Sequence, residues 1–469
     1  MKKYFLFTAC LLSMLLVQAQ PSKLIIKLET EADELRYWPL NGEHLPYYNL
    51  ATQLKINSGN ATEINFPDKG SIYTILAGNQ NFKVYTSASS IDTVYVCKDT
   101  LLFRGDNKQY NEYLIEAQKS DTYCRNYSRT RNHELRDINQ LTAYNEIIKQ
   151  RKQNDNLLLS GSFTKDFIDQ QRLCTNLRYN ALFLKKIMSL YKSPELTNEW
   201  FETLKSMDFE LTNELSRQSE WFNELLKDYV CIQNFVLNDI KPQEVMNTFN
   251  TFLFNNYCNT LSGKNLEYAL ASLIYDDVFQ EEYSKEIPAL YKQFAARFPH
   301  STYNEILEPR VRKTADIYNQ TTTNNKITVL NYETEPGSFQ EIIKPFHGKI
   351  IYIDIWATTC APCLKMFPNT VNLKKKLAGS NEIVYLYISL DQDRNHEKWY
   401  NMIHYYNLEG YHYRVNRNTS KIIYNSLGDK NGMLMIPRYV IVDKEGNIAY
   451  TDAAAPDEPD SIIQQINNL

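Results

Sequence analysis

Glycine is scarce in this chain: 14 of its 469 residues, against roughly twice that in an average protein of this length. The shortage excludes collagen-like repeats and long Gly-rich linkers, and it agrees with a helix-rich middle. An excess of either charge is missing too. Its 51 Lys and Arg stand against 55 Asp and Glu, a formal net charge of −4. A mildly acidic chain offers no electrostatic footing for nucleic acid or an anionic lipid surface. Beyond the first residues no apolar run approaches the ~20 that a spanning helix needs. The cysteines number eight. All but one pair are widely and irregularly spaced, so a small disulfide-stapled fold does not suit so long a chain.

The first feature present is a leader. Lys2 and Lys3 precede an apolar stretch from Tyr4 to Val17, followed by Gln18-Ala19-Gln20-Pro21. A basic start, a short apolar segment and a small terminal residue match a secretory signal peptide over residues 1–19, with cleavage expected after Ala19. An uncleaved anchor is the alternative. A lipoprotein would acylate Cys10, but Phe7-Thr8-Ala9 is a poor match and the apolar run continues past it. Losing the leader removes two lysines and no acid, which moves the net charge from −4 to −6. Seven cysteines then remain: Cys97, Cys124, Cys174, Cys231, Cys258, Cys360 and Cys363. Cys174 falls in the helical series Phe167, Cys174, Leu177, Ala181, Leu184, Met188, Tyr191 and is expected to pack as a small core hydrophobe. The other isolated cysteines are read the same way, and the pairing of Cys97, Cys124, Cys174, Cys231 and Cys258 stays open.

Length allows about three domains at ~100–200 residues each, and the pattern changes twice. Residues 22–105 read as a β-rich domain, an antiparallel sheet or sandwich, through Lys23–Leu28, Ser71–Leu76, Phe82–Thr86, Thr93–Val96 and Leu101–Phe103. Residues 107–318 turn helical, with Pro194 and Pro242 near helix starts. Aromatic stripes there, such as Trp200-Phe201 and Trp221-Phe222, read as core. Polar, aperiodic residues 319–326 read as a linker. From 327 to 469 strands and helices alternate. Ile350–Ile355 is a buried strand followed by a helix from Cys360 to about Leu377, and Glu382–Leu390 is a second strand followed by a helix from His396 to about Tyr406. A hairpin through Lys444-Glu445-Gly446 and a helix from Pro459 to Leu469 close the chain. The expected fold is an α/β mixed sheet covered on both faces.

The chemistry concentrates in Trp356-Ala357-Thr358-Thr359-Cys360-Ala361-Pro362-Cys363, immediately after that first buried strand. Two thiols separated by two residues can close a disulfide within one helical turn. A Cys-x-x-Cys placed just after a strand is therefore a specific redox signal. Cys360 is expected at a helix N-terminus, partly exposed, where free N–H groups and the helix dipole favour thiolate. Lowering a thiol from about 8.5 to about 7 needs roughly 2 kcal/mol. A dipole supplies only ~0.3–1 kcal/mol, so hydrogen bonds to the sulfur must add the rest. Cys360 is then the nucleophile and Cys363 the resolving thiol. Pro362 suits the first helical turn, where no amide is needed. Asp354 lies six residues before Cys360 on an otherwise apolar strand, a costly place for a carboxylate.

Gly348–Ala357, the Cys360/Cys363 motif, Met435-Ile436-Pro437-Arg438-Tyr439-Val440-Ile441-Val442-Asp443 and Glu445-Gly446-Asn447-Ile448 together resemble the thioredoxin superfamily. More narrowly they resemble exported TlpA/ResA-type thiol–disulfide oxidoreductases. The match covers about the last 140 residues. The first two segments are similar, more loosely, to N-terminal extensions of such proteins in Bacteroidetes-like bacteria, and that implies no activity.

The resemblance implies a thioredoxin-like C-terminal domain and a proton-accepting role for Asp354 toward Cys363. It makes Trp356 an aromatic packed under the site and puts a helix kink at Pro368. It implies a cis proline at Pro437 facing the dithiol, with the Ile436 backbone pairing to an extended substrate segment. Thr359 and Ala361 depart from the commoner residues beside the cysteines, and both belong to the substrate-facing surface, so specificity and potential are this chain's own. No dissociable cofactor is implied, because the dithiol carries both electrons. Expected partners are disulfides or thiols of exported proteins and a membrane thiol-electron donor, in the periplasm or cell envelope.

Two rivals are weaker. Zinc would need two more ligands beside Cys360 and Cys363, and His396, His404 and His412 form no close pair. An envelope interaction protein that uses the domain only for docking would not need Cys360, Cys363, Asp354 and Pro437 all intact.

Overall fold

The computed structural model describes residues 21–469 except 30–33, 41, 43, 46, 57–60, 68–69, 99, 121–139, 321–323, 333, 378–381 and 430–431. The leader over residues 1–19, Cys124 and the middle of the 319–326 linker therefore lie outside the described residues. The chain divides into two compact units, residues 1–240 with 258–268, and 241–257 with 269–469. Among the described residues no helix is long and apolar enough to cross a membrane.

In the first unit, strands β1 (Ser22–Leu28), β2 (Glu34–Pro39), β3 (Thr52–Lys55), β4 (Ala61–Phe66), β5 (Ser71–Ala77), β6 (Gln80–Thr86), β7 (Ile91–Val96) and β8 (Leu101–Gly105) form two four-stranded sheets. Their orders are β4-β1-β7-β8 and β3-β2-β5-β6. The β1–β7 pair is parallel and the others are antiparallel. Alternation drives the packing. Leu24 and Ile26 of β1, Ile75 of β5, Val84 of β6 and Val94 of β7 are fully buried in one core shared by both sheets. Helices α1 (Lys108–Ser120), α2 (Gln140–Ser160), α3 (Lys165–Ser189), α4 (Asn198–Ser206) and α5 (Phe222–Cys231) follow. Leu177, Ala181, Leu184, Trp200, Leu225 and Ile232 share one of their cores, as the helical stripes predict. Cys174 is only partly buried and unpaired.

Helices α6 (Phe249–Thr260) and α7 (Gly263–Phe279) come next along the chain. In the second unit, α8 (Ile287–Arg297) and α9 (Tyr303–Tyr318) precede a six-stranded sheet. Its strands are β9 (Ile327–Val329), β10 (Ile350–Trp356), β11 (Ile383–Ser389), β12 (Gly410–Arg414), β13 (Arg438–Val442) and β14 (Ile448–Tyr450), in the order β14-β13-β10-β11-β12-β9. Strands β9 to β12 pair in parallel, while β13 runs antiparallel to β10 and β14.

All seven residues of β10 are buried, because helices cover both faces. Ile351, Ile353 and Ile355 face α10 (Phe339–Ile343) and α13 (Arg417–Leu427). Tyr352 and Trp356 face the other side, against α11 (Ala361–Lys376), α12 (His396–Tyr405) and α14 (Pro459–Asn467). This is the mixed, doubly covered sheet expected. Tyr283 and Ile317, from the helical segment, join the same buried cluster as Trp356 and the two cysteines. That segment therefore supplies part of the packing around the two cysteines.

Candidate functional site

Strand β10 ends at Trp356, the chain turns, and α11 begins. Cys360 occupies the N-cap of α11, and Pro362 sits in its first turn. The turn closes through Cys360 N–H on the Ala357 carbonyl at 3.0 Å. Cys360 and Cys363 are joined by a disulfide, with Cα atoms 5.3 Å apart. The backbone N–H of Cys363 donates to the Cys360 sulfur at 3.2 Å. In the dithiol form that N–H would support a thiolate on Cys360, as would the helix end. Cys360 keeps 8 % of its surface and Cys363 1 %. Cys360 is thus more enclosed than its expected place at the helix tip suggested, since Ala357, Ile436 and the α11–α12 cluster pack around it. It is nonetheless the outer of the two sulfurs.

The residues expected to face substrate divide by exposure. Thr359 and Pro362 are exposed, and Ala361 and Pro437 are half-buried. Ile436 packs partly against the cluster that contains both cysteines, and the Ile436–Pro437 peptide bond is cis. Trp356 is fully buried, its ring edge-on to Phe367 at 5.0 Å. Pro368 lies inside α11.

Asp354 sits on the α11 side of β10, 3 % exposed, and among the described residues neither of its carboxylate oxygens has a hydrogen-bond donor. Its cross-strand neighbours are Tyr387 on β11 and Tyr439 on β13. Burial pushes its carboxyl from 3.8 up to about 7, and the charge of Lys374 pulls back against that rise. The half-buried Lys374 reaches in from α11. Its ammonium donates to the Tyr387 hydroxyl at 2.9 Å and to the Glu409 carbonyl, and lies 4.7 Å from the Tyr385 ring centre. Burial lowers Lys374 from 10.5 to about 8, opposed by the charges of Glu409 and Asp354. The pair is poised so that each group can change charge near neutral pH.

Lys374→Met should push Asp354 further up, because the cation that favours the carboxylate is gone. A carboxyl-carbon NMR titration of the oxidised protein should find the Asp354 midpoint raised by about one pH unit. An unchanged or lower midpoint would show that the two charges do not communicate.

Sequence reading missed Lys374, Tyr387 and Asp391. It also missed the state of His412, which is fully buried, stacked on Tyr387 at 4.7 Å and bonded through Nε2 to the Leu408 carbonyl at 2.7 Å. Burial drives its imidazole down to about 3, so it is neutral and Nε2 donates. Among the described residues no group of three or more His, Cys, Asp and Glu is placed to hold a metal ion.

Residues 348–448 match a family described as thioredoxin-like. The C-terminal domain is thus thioredoxin-like, preceded by the β-rich and helical segments. Among solved structures, a solution structure of a provisionally named thiol-disulfide oxidoreductase from Bacteroides vulgatus is 27 % identical. That likeness covers 27 % of this chain and 77 % of the other, with TM-score 0.23. A crystal structure of a provisionally named thiol-disulfide oxidoreductase from the same organism is 29 % identical over 27 % and 82 % of the two chains, with TM-score 0.22. The exposed lipoprotein thioredoxin of Streptococcus pneumoniae is 22 % identical over 27 % and 90 %, with TM-score 0.22. A comparison with curated proteins finds no match.

Proposed function

We propose that this chain is a thiol–disulfide oxidoreductase of the TlpA/ResA type, acting as a disulfide reductase on exported proteins in the cell envelope. The observation that carries the reading is the Cys360–Cys363 pair at the start of α11, with the Cys363 amide on the outer sulfur. In the forward direction the Cys360 thiolate attacks one sulfur of a client disulfide. The client S–S bond breaks, and the departing sulfur leaves as a thiolate that takes a proton from water. Cys363 then gives up its proton, with Asp354 as acceptor, and attacks the Cys360 sulfur. The mixed disulfide breaks, the second client sulfur departs as thiolate, and Cys360–Cys363 is left oxidised. The client gains two electrons and this protein loses two. A membrane thiol-electron donor would return them. Thr359, Ala361, Pro362, Ile436 and Pro437 form the surface against which an extended client segment would lie, with Trp356 packed behind it.

The reduction potential tests the direction. A value near about −270 mV, with net reduction of a disulfide client, is the expected result. A value near about −120 mV with net oxidation of client thiols would reverse the assignment. If the wild type exchanged disulfides no faster than Cys360→Ser, the domain would be a docking module instead.

A further inference from the structure

Asp391 takes no part in the electron transfer described above, yet its carboxylate is buried, 3 % exposed, against the loop that leads into Cys360. A carboxylate in such a place is costly unless its oxygens accept hydrogen bonds. Here they accept four. Oδ2 takes the Thr358 backbone N–H at 2.8 Å and the Ser389 hydroxyl at 2.7 Å. Oδ1 takes the Thr358 hydroxyl at 2.6 Å and the Asn395 side-chain amide at 3.1 Å. Two of the four donors belong to one fully buried residue, two positions before Cys360.

The carboxylate is itself well anchored. The backbone N–H of Asp391 donates to the Ser389 hydroxyl oxygen at 3.1 Å, and Arg414 donates to the Asp391 backbone carbonyl at 3.2 Å. Ser389 ends β11 in register with Trp356, which ends β10. The Trp356 carbonyl accepts the Leu390 N–H at 2.9 Å. The loop is thus pinned at Trp356 by the sheet and at Thr358 by Asp391. Only the exposed Thr359 separates the second pin from Cys360. Holding both the backbone and the side chain of Thr358 fixes how the chain is turned when it reaches Cys360. That orientation matters, because an N–H aimed at sulfur loses strength steeply as its angle worsens.

We propose that Asp391 is a positioning residue for the dithiol: by clamping Thr358 it holds the Cys360 sulfur on the Cys363 amide. The inference rests on the dithiol reading above, but its measurement needs no turnover. The charges around the clamp are Lys398 on α12, which feels Glu282, Asp391 and Asp277, and Asp393, which pairs with Arg414. Asp354 shares a face of β10 with Trp356, and Lys374 acts on it from α11. The Thr358→Val substitution changes none of these charges; it removes only the hydroxyl donor.

The experiment follows iodoacetamide alkylation of Cys360 against pH in the reduced full-length protein. For Thr358→Val the midpoint should rise by about one pH unit. Alkylation at pH 7 should slow by about fivefold, the loss of thiolate being partly offset by its higher intrinsic nucleophilicity. Thr358→Ser keeps the hydroxyl and should restore wild-type behaviour to within about twofold. Should Thr358→Val not fold, Ser389→Ala removes a donor from the other oxygen and should shift the midpoint the same way. A wild-type midpoint in either folded variant would overturn the proposal, as would Thr358→Ser behaving like Thr358→Val. Failure of both variants to fold would reduce Asp391 to a stability element and overturn it equally. A wild type without disulfide exchange would sink the functional reading instead, while leaving the change in alkylation midpoint measurable.

Discussion

Cys363→Ser should stop exchange at a covalent adduct between Cys360 and the client, with turnover lost by at least ~10³-fold. The expectation follows from the order of the two sulfurs. Cys360 caps α11 and retains some surface, while Cys363 is one helical turn in and almost wholly enclosed. A client sulfur can therefore reach Cys360 first. The thiolate is the attacking species, and the Cys363 N–H and helix end both favour it on Cys360. Release then depends on a second attack from inside. A serine hydroxyl at position 363 would remain protonated near neutrality and cannot make that attack. Intact-mass measurement after mixing with a disulfide peptide should show the adduct persisting in Cys363→Ser and absent from Cys360→Ser. An adduct on Cys363 in the Cys360→Ser protein would reverse the roles of the two thiols.

How much of this was legible beforehand depended on burial. Strand β10 announced itself because helices cover both its faces, leaving an apolar run interrupted only by Asp354. The β13–β14 hairpin was equally plain, since its turn needs the positive φ of 88° that Gly446 adopts. Strands β2, β3 and β4 went unread because their residues are largely half-buried or exposed, so apolar alternation is weak. Strand β9 has three residues, and it lies at the sheet edge. Helix α13 did carry a signal, a capping box from Asn416 to Thr419, but with threonine in place of the usual Glu or Gln. Lys374 was hidden in plain view. It opens the run Lys374-Lys375-Lys376, which reads as a solvated helix end, and only packing separates the enclosed first ammonium from its exposed neighbours. Asp391 and Thr358, 33 residues apart, meet because the β10–β11 pairing brings their strand ends together. Spacing along the chain cannot show that.

Replacing Asp354 by Asn should make the protein more stable and less active, and the two effects have one origin. Burial lifts the folded-state carboxyl from 3.8 to about 7 despite the opposing charge of Lys374. Below pH ~4 the group is protonated in both folded and unfolded chains, so it costs nothing extra. Between about pH 4 and pH 7 the unfolded chain loses this proton first, and stability falls as pH rises. A rise of that size corresponds to about 4 kcal/mol, an upper bound that is fully lost once the folded group has also ionised. Asn carries no such proton. Denaturation of the oxidised protein should therefore find Asp354→Asn close to wild type at pH 4 but more stable at pH 8 by up to ~4 kcal/mol. Rate should move the opposite way. With the proposed acceptor for the Cys363 proton removed, release of the mixed disulfide should slow by about 10²-fold, while the first attack by Cys360 proceeds nearly unchanged. If stability and release were both the same as wild type at pH 8, Asp354 would be a bystander in the core. A buried carboxylate between Tyr387 and Tyr439, with no hydrogen-bond donor among the described residues, would then have no chemical reason to be there.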